Sequence, residues 1–168
     1  MKETLLLYVH ELNSGKTAVK FKAIAELFDD AHCIEWKNDA HFTKKDLLER
    51  LHTRAKRHAK NYQSVVLVGD STGANFVVQY QQTYGQQFVS HVVLISPLLH
   101  KNDILIDNRI FSKAVFSQLQ DFEVIEEALI ISTLKDTVIN QSHHRATGPL
   151  KQEEKMGTHK LPIPLDTL

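Results

Sequence analysis

The sequence predicts an α/β fold: one mainly parallel sheet of about six strands with helices on both faces. Three observations predict it. Short continuous apolar runs recur along the chain, at residues 4–9, 65–68, 91–95 and 128–131. Segments with apolar residues three and four apart separate them, as in helices that cover a sheet. The run Val65-Val66-Leu67-Val68 passes directly into Gly69-Asp70-Ser71-Thr72-Gly73 and then into a helical segment, a strand–turn–helix junction.

Thr4-Leu5-Leu6-Leu7-Tyr8-Val9 reads as a buried strand, ended by a polar loop from His10 to Gly15. A helix is expected next, with Val19, Ala23, Leu27 and Phe28 on its inner face. A short second strand is expected at residues 33–36. Thr43 then opens a helix with Leu47, Leu48, Leu51, Ala55 and Ala59 along one stripe, and Thr43 with Asp46 makes a capping-box-like start. The strand at 65–68 and the helix from Ala74 to Tyr80 follow, then a fourth strand at 91–95 and a fifth at 128–131. A helix is expected from near Thr137 and a last strand at 152–156. Residues 96–127 are too long for an ordinary connection, and their apolar residues, Leu98 and Leu99 among them, predict a small substrate-covering insertion.

Size and charge narrow the function classes. A chain of 168 residues suits a single domain, residues 1–168, with a real core. Lys and Arg together number 20, as do Asp and Glu, so no global field draws in nucleic acid or an anionic membrane. The single cysteine, Cys33, has no partner for an internal disulfide. The N-terminal apolar run is shorter than the roughly 7–15 residues of a signal-peptide core. No stretch approaches the ~20 apolar residues that cross a bilayer. A cytoplasmic protein is expected.

The five residues from Gly69 to Gly73 carry the chemistry. A serine between two glycines, at a strand-to-helix turn, is a nucleophile elbow: the reversal forces the serine backbone into a strained region and lifts its hydroxyl above the sheet. The Thr72 N–H then sits at a helix N-terminus, where unpaired donors and the helix dipole favour a developing oxyanion. In this architecture an acid and then a histidine follow the serine in the chain. Asp136 lies beyond the fifth strand and also suits a helix N-cap. His159 follows the last strand in Met156-Gly157-Thr158-His159; its rivals His143 and His144 are expected on the intervening helix, too near the acid.

Taken together, these motifs resemble the α/β-hydrolase superfamily, in particular the small bacterial YqiA-like esterases with a minimal cap. The resemblance runs from Leu5-Leu6-Leu7-Tyr8-Val9-His10 to Gly157-Thr158-His159. It implies a serine esterase in which Ser71, Asp136 and His159 form a triad and cleave an ester or thioester through an acyl-enzyme. It implies no metal and no organic cofactor. It also implies that His10 and Glu11 begin the oxyanion loop beside the substrate, and that the Leu12 N–H joins that of Thr72 in the oxyanion hole. Such enzymes have glycine where this chain has Glu11, so a carboxylate stands beside a site for negative charge. Such enzymes also close with a helix, whereas Leu161-Pro162-Ile163-Pro164-Leu165 cannot form one; a homodimer covering the open face is expected.

Two other readings stand beside this one. Gly15-Lys16-Thr17, after a buried strand and before a helix, resembles the end of a P-loop, with Asp70 as a Mg²⁺-binding acid. His10 occupies the place of its first glycine. Alternatively, the fold serves binding with little catalysis, and the basic face of the second helix (Lys44, Lys45, Arg50, Arg54, Lys56, Arg57, Lys60) meets an acidic partner.

Overall fold

The computed structural model describes residues 2–133 and 135–142, together with the backbone of 146–147 and 152–155. Strand β1 (Lys2–Val9) leads through a loop to helix α1 (Val19–Ala25) and strand β2 (Asp30–Ile34). Helix α2 (Lys44–His58), strand β3 (Tyr62–Asp70), helix α3 (Thr72–Tyr84) and strand β4 (His91–Ile95) follow. Beyond β4 come two 3₁₀ turns, helix α4 (Lys113–Gln118), and strands β5 (Ile125–Glu126), β6 (Leu129–Thr133), β7 (Ala146–Thr147) and β8 (Gln152–Lys155).

Six strands form one sheet in the order β2-β1-β3-β4-β6-β8, and every pair in it is parallel. The expected sheet of about six strands is therefore present. A two-stranded parallel pair, β5 with β7, lies outside it and was not expected. Because the strands run the same way, the loops that leave β1, β3, β4 and β6 all emerge at one end. Val9 pairs with Gly69 and Asp70 with Ile95, so Glu11, Ser71 and the loop after Ile95 start at one level.

Alternation along β1 divides the core. Leu5, Leu7 and Val9 join the larger apolar cluster with α2 and α3, while Leu6 and Tyr8 face the other side with Phe21 and Ile24 of α1. Period-two side-chain direction in a strand buried on both faces produces this split. Helix α3 is the central helix: every residue from Thr72 to Tyr80 is buried. Helix α2 starts as expected, with Thr43 Oγ1 accepting from the Asp46 N–H at 3.3 Å, and buries Leu47, Leu48, Leu51 and Ala55.

Several boundaries and faces differ from the expected ones. Helix α1 turns Lys20, Phe21 and Ile24 inward, leaving Val19 84% and Leu27 38% exposed. Phe21 finds Tyr8, with ring centroids 5.3 Å apart, and Lys20 finds a buried carboxylate, and these contacts set the rotation of a short helix. Strand β2 covers 30–34 rather than 33–36, because Ile34 pairs with Val9 at the end of β1. No helix begins at Thr137. Asp136 Oδ1 accepts from the N–H groups of Val138 and Ile139, Ile139 makes an antiparallel bridge to Ile104, and the Val138 carbonyl accepts from Leu105. Two β-branched residues are thus drawn into extended pairing.

Beyond the first strand His10 turns inward. Its Nδ1 donates to the Glu11 carbonyl at 2.7 Å and its Nε2 accepts from the Trp36 N–H at 3.0 Å. The ring stacks on the Trp36 indole, whose Nε1–H donates to the His10 carbonyl. One nitrogen donates and the other accepts, so the imidazole is neutral, and burial holds its pKa below the ordinary histidine range.

Two outcomes follow. A methyl added at Gly73 would lie 2.2 Å from the Val9 carbonyl oxygen and 2.5 Å from that of His10. Gly73→Ala is expected to lower unfolding stability by about 3 kcal/mol, read from urea denaturation. His10 is neutral when folded and protonates more readily when unfolded, so it favours the folded state above its unfolded pKa of roughly 6.5, and that stability is lost as pH falls below it. Urea midpoints measured from pH 7 to pH 5 are expected to fall less in His10→Gln than in the wild-type chain.

Candidate active site

Ser71 sits at the junction of β3 and α3 with φ 54° and ψ −114°. A side chain rarely adopts this conformation, and surrounding bonds must hold it. The Ser71 N–H donates to the Ile95 carbonyl at 2.9 Å, while its carbonyl accepts from Leu98 at 3.0 Å and from Ala74 at 3.1 Å. The two glycines allow close approach, since a Cβ at Gly69 would meet the Ala74 Cα at 2.6 Å and one at Gly73 the Val9 carbonyl. The expected elbow geometry is present.

A pocket of about 270 Å³ opens over Ser71. Glu11, Leu12 and Asn13 form one wall, Ser71 and Thr72 the floor, and Leu98, Ile106 and Phe111 part of an apolar side. Of the expected site residues, Ser71, Thr72, Leu12, Glu11 and Leu98 therefore meet at one cavity. His10 and Leu99 are not among its lining: His10 is held against Trp36, and Leu99 belongs to the larger core cluster. Asn13 adopts φ 55°, a second non-glycine residue in the left-handed region on the same pocket.

The segment between β4 and β5 is pinned over this pocket by buried amides. Asn75 of α3 donates to the carbonyls of Leu98 and Gln120 and accepts from the Gln120 N–H. Gln79, one turn further, donates to Asn75 Oδ1 and to the Gln118 carbonyl. Asn38 reaches from the other side, donating to the Ile110 carbonyl and accepting from the Ser112 N–H, both at 2.7 Å. Sequence reasoning passed over these residues. For Asn75 and Gln79 the signal was an Asn and a Gln four apart in the otherwise apolar run at residues 74–80, where hydrogen-bond partners make burial tolerable.

Asp136 stands beyond β6, half-buried, with Gln141 Nε2 3.3 Å from Oδ2. A smaller cavity of about 110 Å³ is lined by Asp136 together with Leu105, Ser132, Thr133 and Gln141. Ser132 Oγ, Thr133 Oγ1 and Gln141 Oε1 are buried there without a hydrogen-bond partner among the described residues. His159 and its rivals His143 and His144 lie outside the described residues.

Asp70, just before Ser71, is almost fully buried. Lys20 Nζ lies 2.7 Å from its Oδ1 and the Tyr8 hydroxyl donates to its Oδ2 at 2.6 Å. Burial pushes the carboxyl pKa up, and the Lys20 ammonium and Tyr8 hydrogen bond oppose that rise. The Tyr8 hydroxyl is held in its neutral form by burial and by the neighbouring carboxylate. Lys20 also approaches Glu11 Oε2, at 3.6 Å. The lysine was not expected at the site, because the helix face assigned inward did not include it.

This arrangement bears on the P-loop reading. Asp70 is enclosed by Lys20 and Tyr8 rather than open to a cation. The Lys16 N–H and ammonium both face the Glu35 carboxylate, at 3.4 and 4.0 Å. Among the described residues no group of three or more His, Cys, Asp or Glu side chains could hold a metal ion. Nor is any described helix long and apolar enough to cross a membrane.

Among curated proteins none matches this sequence. Solved structures share the fold at low identity. A Xanthomonas campestris pv. campestris protein of the alpha/beta hydrolase superfamily superposes with TM-score 0.64 at 18% identity, covering 99% of this chain and 92% of that one. Est1E from Butyrivibrio proteoclasticus gives TM-score 0.63 at 11% identity, with coverage of 98% and 83%. The pyrethroid hydrolase PytH gives TM-score 0.63 at 12% identity, with coverage of 94% and 90%. A family model described as "alpha/beta hydrolase fold" matches residues 30–150, most of the chain, and with the parallel sheet and the strained serine turn this places the protein in the alpha/beta hydrolase fold family.

Proposed function

We propose that this protein is a serine hydrolase that cleaves a carboxylic ester or thioester of a small molecule. One observation carries the reading: a serine held at φ 54° between a buried strand and the N-terminus of a buried helix, on the floor of a largely apolar pocket. Holding a residue in that region costs of order 1–3 kcal/mol, and such strain clusters where a side chain must be presented for chemistry. That solved relatives of the fold include a protein named a pyrethroid hydrolase supports a hydrolytic role.

In this mechanism the Ser71 Oγ attacks the substrate carbonyl while His159 accepts its proton, and Asp136 orients the imidazole and stabilises its charged form. The place of Asp136 beyond β6, at the same end of the parallel sheet as Ser71, supports that role. The backbone N–H groups of Leu12 and Thr72 hold the tetrahedral oxyanion; the α3 dipole reinforces the second. The protonated His159 delivers its proton to the leaving alcohol or thiol. Water, deprotonated by His159, then attacks the acyl-Ser71 and releases the acid. The apolar side of the pocket, with Leu98, Ile106 and Phe111, suits an acyl or other apolar group, and the minimal cap is in keeping with a small YqiA-like esterase.

Hydrolysis of p-nitrophenyl acetate and butyrate tests this reading. Ser71→Ala is expected to lower kcat/KM by at least about 10³-fold. Equal rates for Ser71→Ala and the wild-type chain would overturn it.

A further inference from the structure

We propose, resting on the serine-hydrolase reading, that Asn38 is a positioning residue: it ties the loop bearing the Leu12 N–H to the segment covering the pocket, and so sets both turnover and the preference for a larger acyl group. The two walls of the pocket over Ser71 come from distant parts of the chain. Leu12 and Asn13 belong to the loop after β1, while Ile106, Ile110 and Phe111 belong to the segment between β4 and β5. Asn38, between β2 and α2, bonds to both. Its Nδ2 donates to the Ile110 carbonyl at 2.7 Å and to Asn13 Oδ1 at 3.2 Å, and its Oδ1 accepts from the Ser112 N–H at 2.7 Å.

The backbone fixes which way this amide points. An N–H needs an acceptor and a carbonyl needs a donor, so Ser112 and Ile110 together assign Oδ1 and Nδ2 of Asn38. The second Nδ2 hydrogen then serves the Asn13 carboxamide. Asn13 is exposed and holds φ 55°, a region few side chains occupy, so an anchor there has work to do. Releasing Asn13 also frees its neighbour Leu12, whose N–H is proposed to meet the oxyanion. On the other wall, Asn75 and Gln79 hold the covering segment at Leu98 and at 118–120, and Asn38 holds it between them. The loop that carries Asn38 is itself braced. Trp36 stacks on His10, the Asp39 carbonyl accepts from Ser112 Oγ, and Gln118 Nε2 donates to the Phe42 carbonyl. Asn38 is not among the residues lining the pocket, so it acts through Asn13, Ile110 and Phe111.

Steady-state hydrolysis of p-nitrophenyl acetate and butyrate by the full chain tests the proposal, with active enzyme counted by fluorophosphonate titration. The wild-type chain is expected to favour butyrate in kcat/KM, since added methylenes gain apolar contact. Asn38→Ala is expected to lower kcat about tenfold on both esters and the butyrate-to-acetate ratio of kcat/KM by at least about threefold. Asn38→Asp keeps the shape and the bond from Ser112 but cannot donate to Ile110, and it is expected to lower the ratio as far. A merely structural defect would slow both esters alike, because the ratio cancels the amount of folded enzyme. Asn13→Gly keeps the left-handed turn and removes only the carboxamide. It is expected to lower kcat about threefold in the wild-type chain and to add less than about 1.5-fold to Asn38→Ala. An unchanged ratio in the Asn38 variants, effects at 13 and 38 that simply multiply, or no preference for butyrate in the wild-type chain would each overturn the proposal. Should the Asn38 variants fail to fold, Asn13→Gly decides alone, and wild-type kcat in it overturns the proposal. Ser71→Ala separates this result from the parent reading. A rate that does not depend on Ser71 sinks the hydrolase assignment; a Ser71-dependent rate with an unchanged ratio sinks only the role of Asn38.

Discussion

Close packing of the turn between β3 and α3 against the end of β1 governs this molecule. Gly73 lies so near the Val9 and His10 carbonyls that even a methyl group has no room. That contact brings the start of the central helix to the loop that leaves β1. Gly69 does the same between β3 and α3. With both approaches made, the residue between has one path, and Ser71 takes the strained conformation that three backbone hydrogen bonds then hold. The pocket, the loop carrying Leu12 and the helix N-terminus all take their positions from this junction.

A second constraint is electrostatic. Burial of Asp70 beside Ser71 requires a counter-charge, and α1 rotates to deliver Lys20 rather than its more apolar face. Val19 and Leu27 are left at the surface as a result. The same rotation brings the lysine within 3.6 Å of Glu11. Buried amides on α3 act similarly on the covering segment, replacing loop freedom with fixed backbone partners.

The parallel sheet was readable in the sequence because its strands are buried on both faces and so are continuously apolar, as in Leu5-Leu6-Leu7 and Val65-Val66-Leu67-Val68. The elbow was readable because its two glycines answer a local steric need. Helix α2 could be read from its stripe of leucines and its Thr43 cap. What escaped the sequence depended on partners far along the chain. The inward face of α1 was decided by Asp70, fifty residues away, and β2 took its register from the end of β1. His10 looked like part of a substrate loop, but the Trp36 backbone and indole captured it. Asp136 was legible as a cap, yet it caps a turn, because the pairing of Ile139 with Ile104 drew the following residues away from a helix.

The central claim is that Ser71 is an activated nucleophile, and covalent labelling tests it most directly. The full chain is treated with a fluorophosphonate, and intact mass followed by peptide mapping locates the adduct. One phosphonyl group per chain on Ser71, absent from Ser71→Ala, is the predicted result. No adduct under conditions that label a known serine esterase, or an adduct elsewhere that persists in Ser71→Ala, would contradict the account.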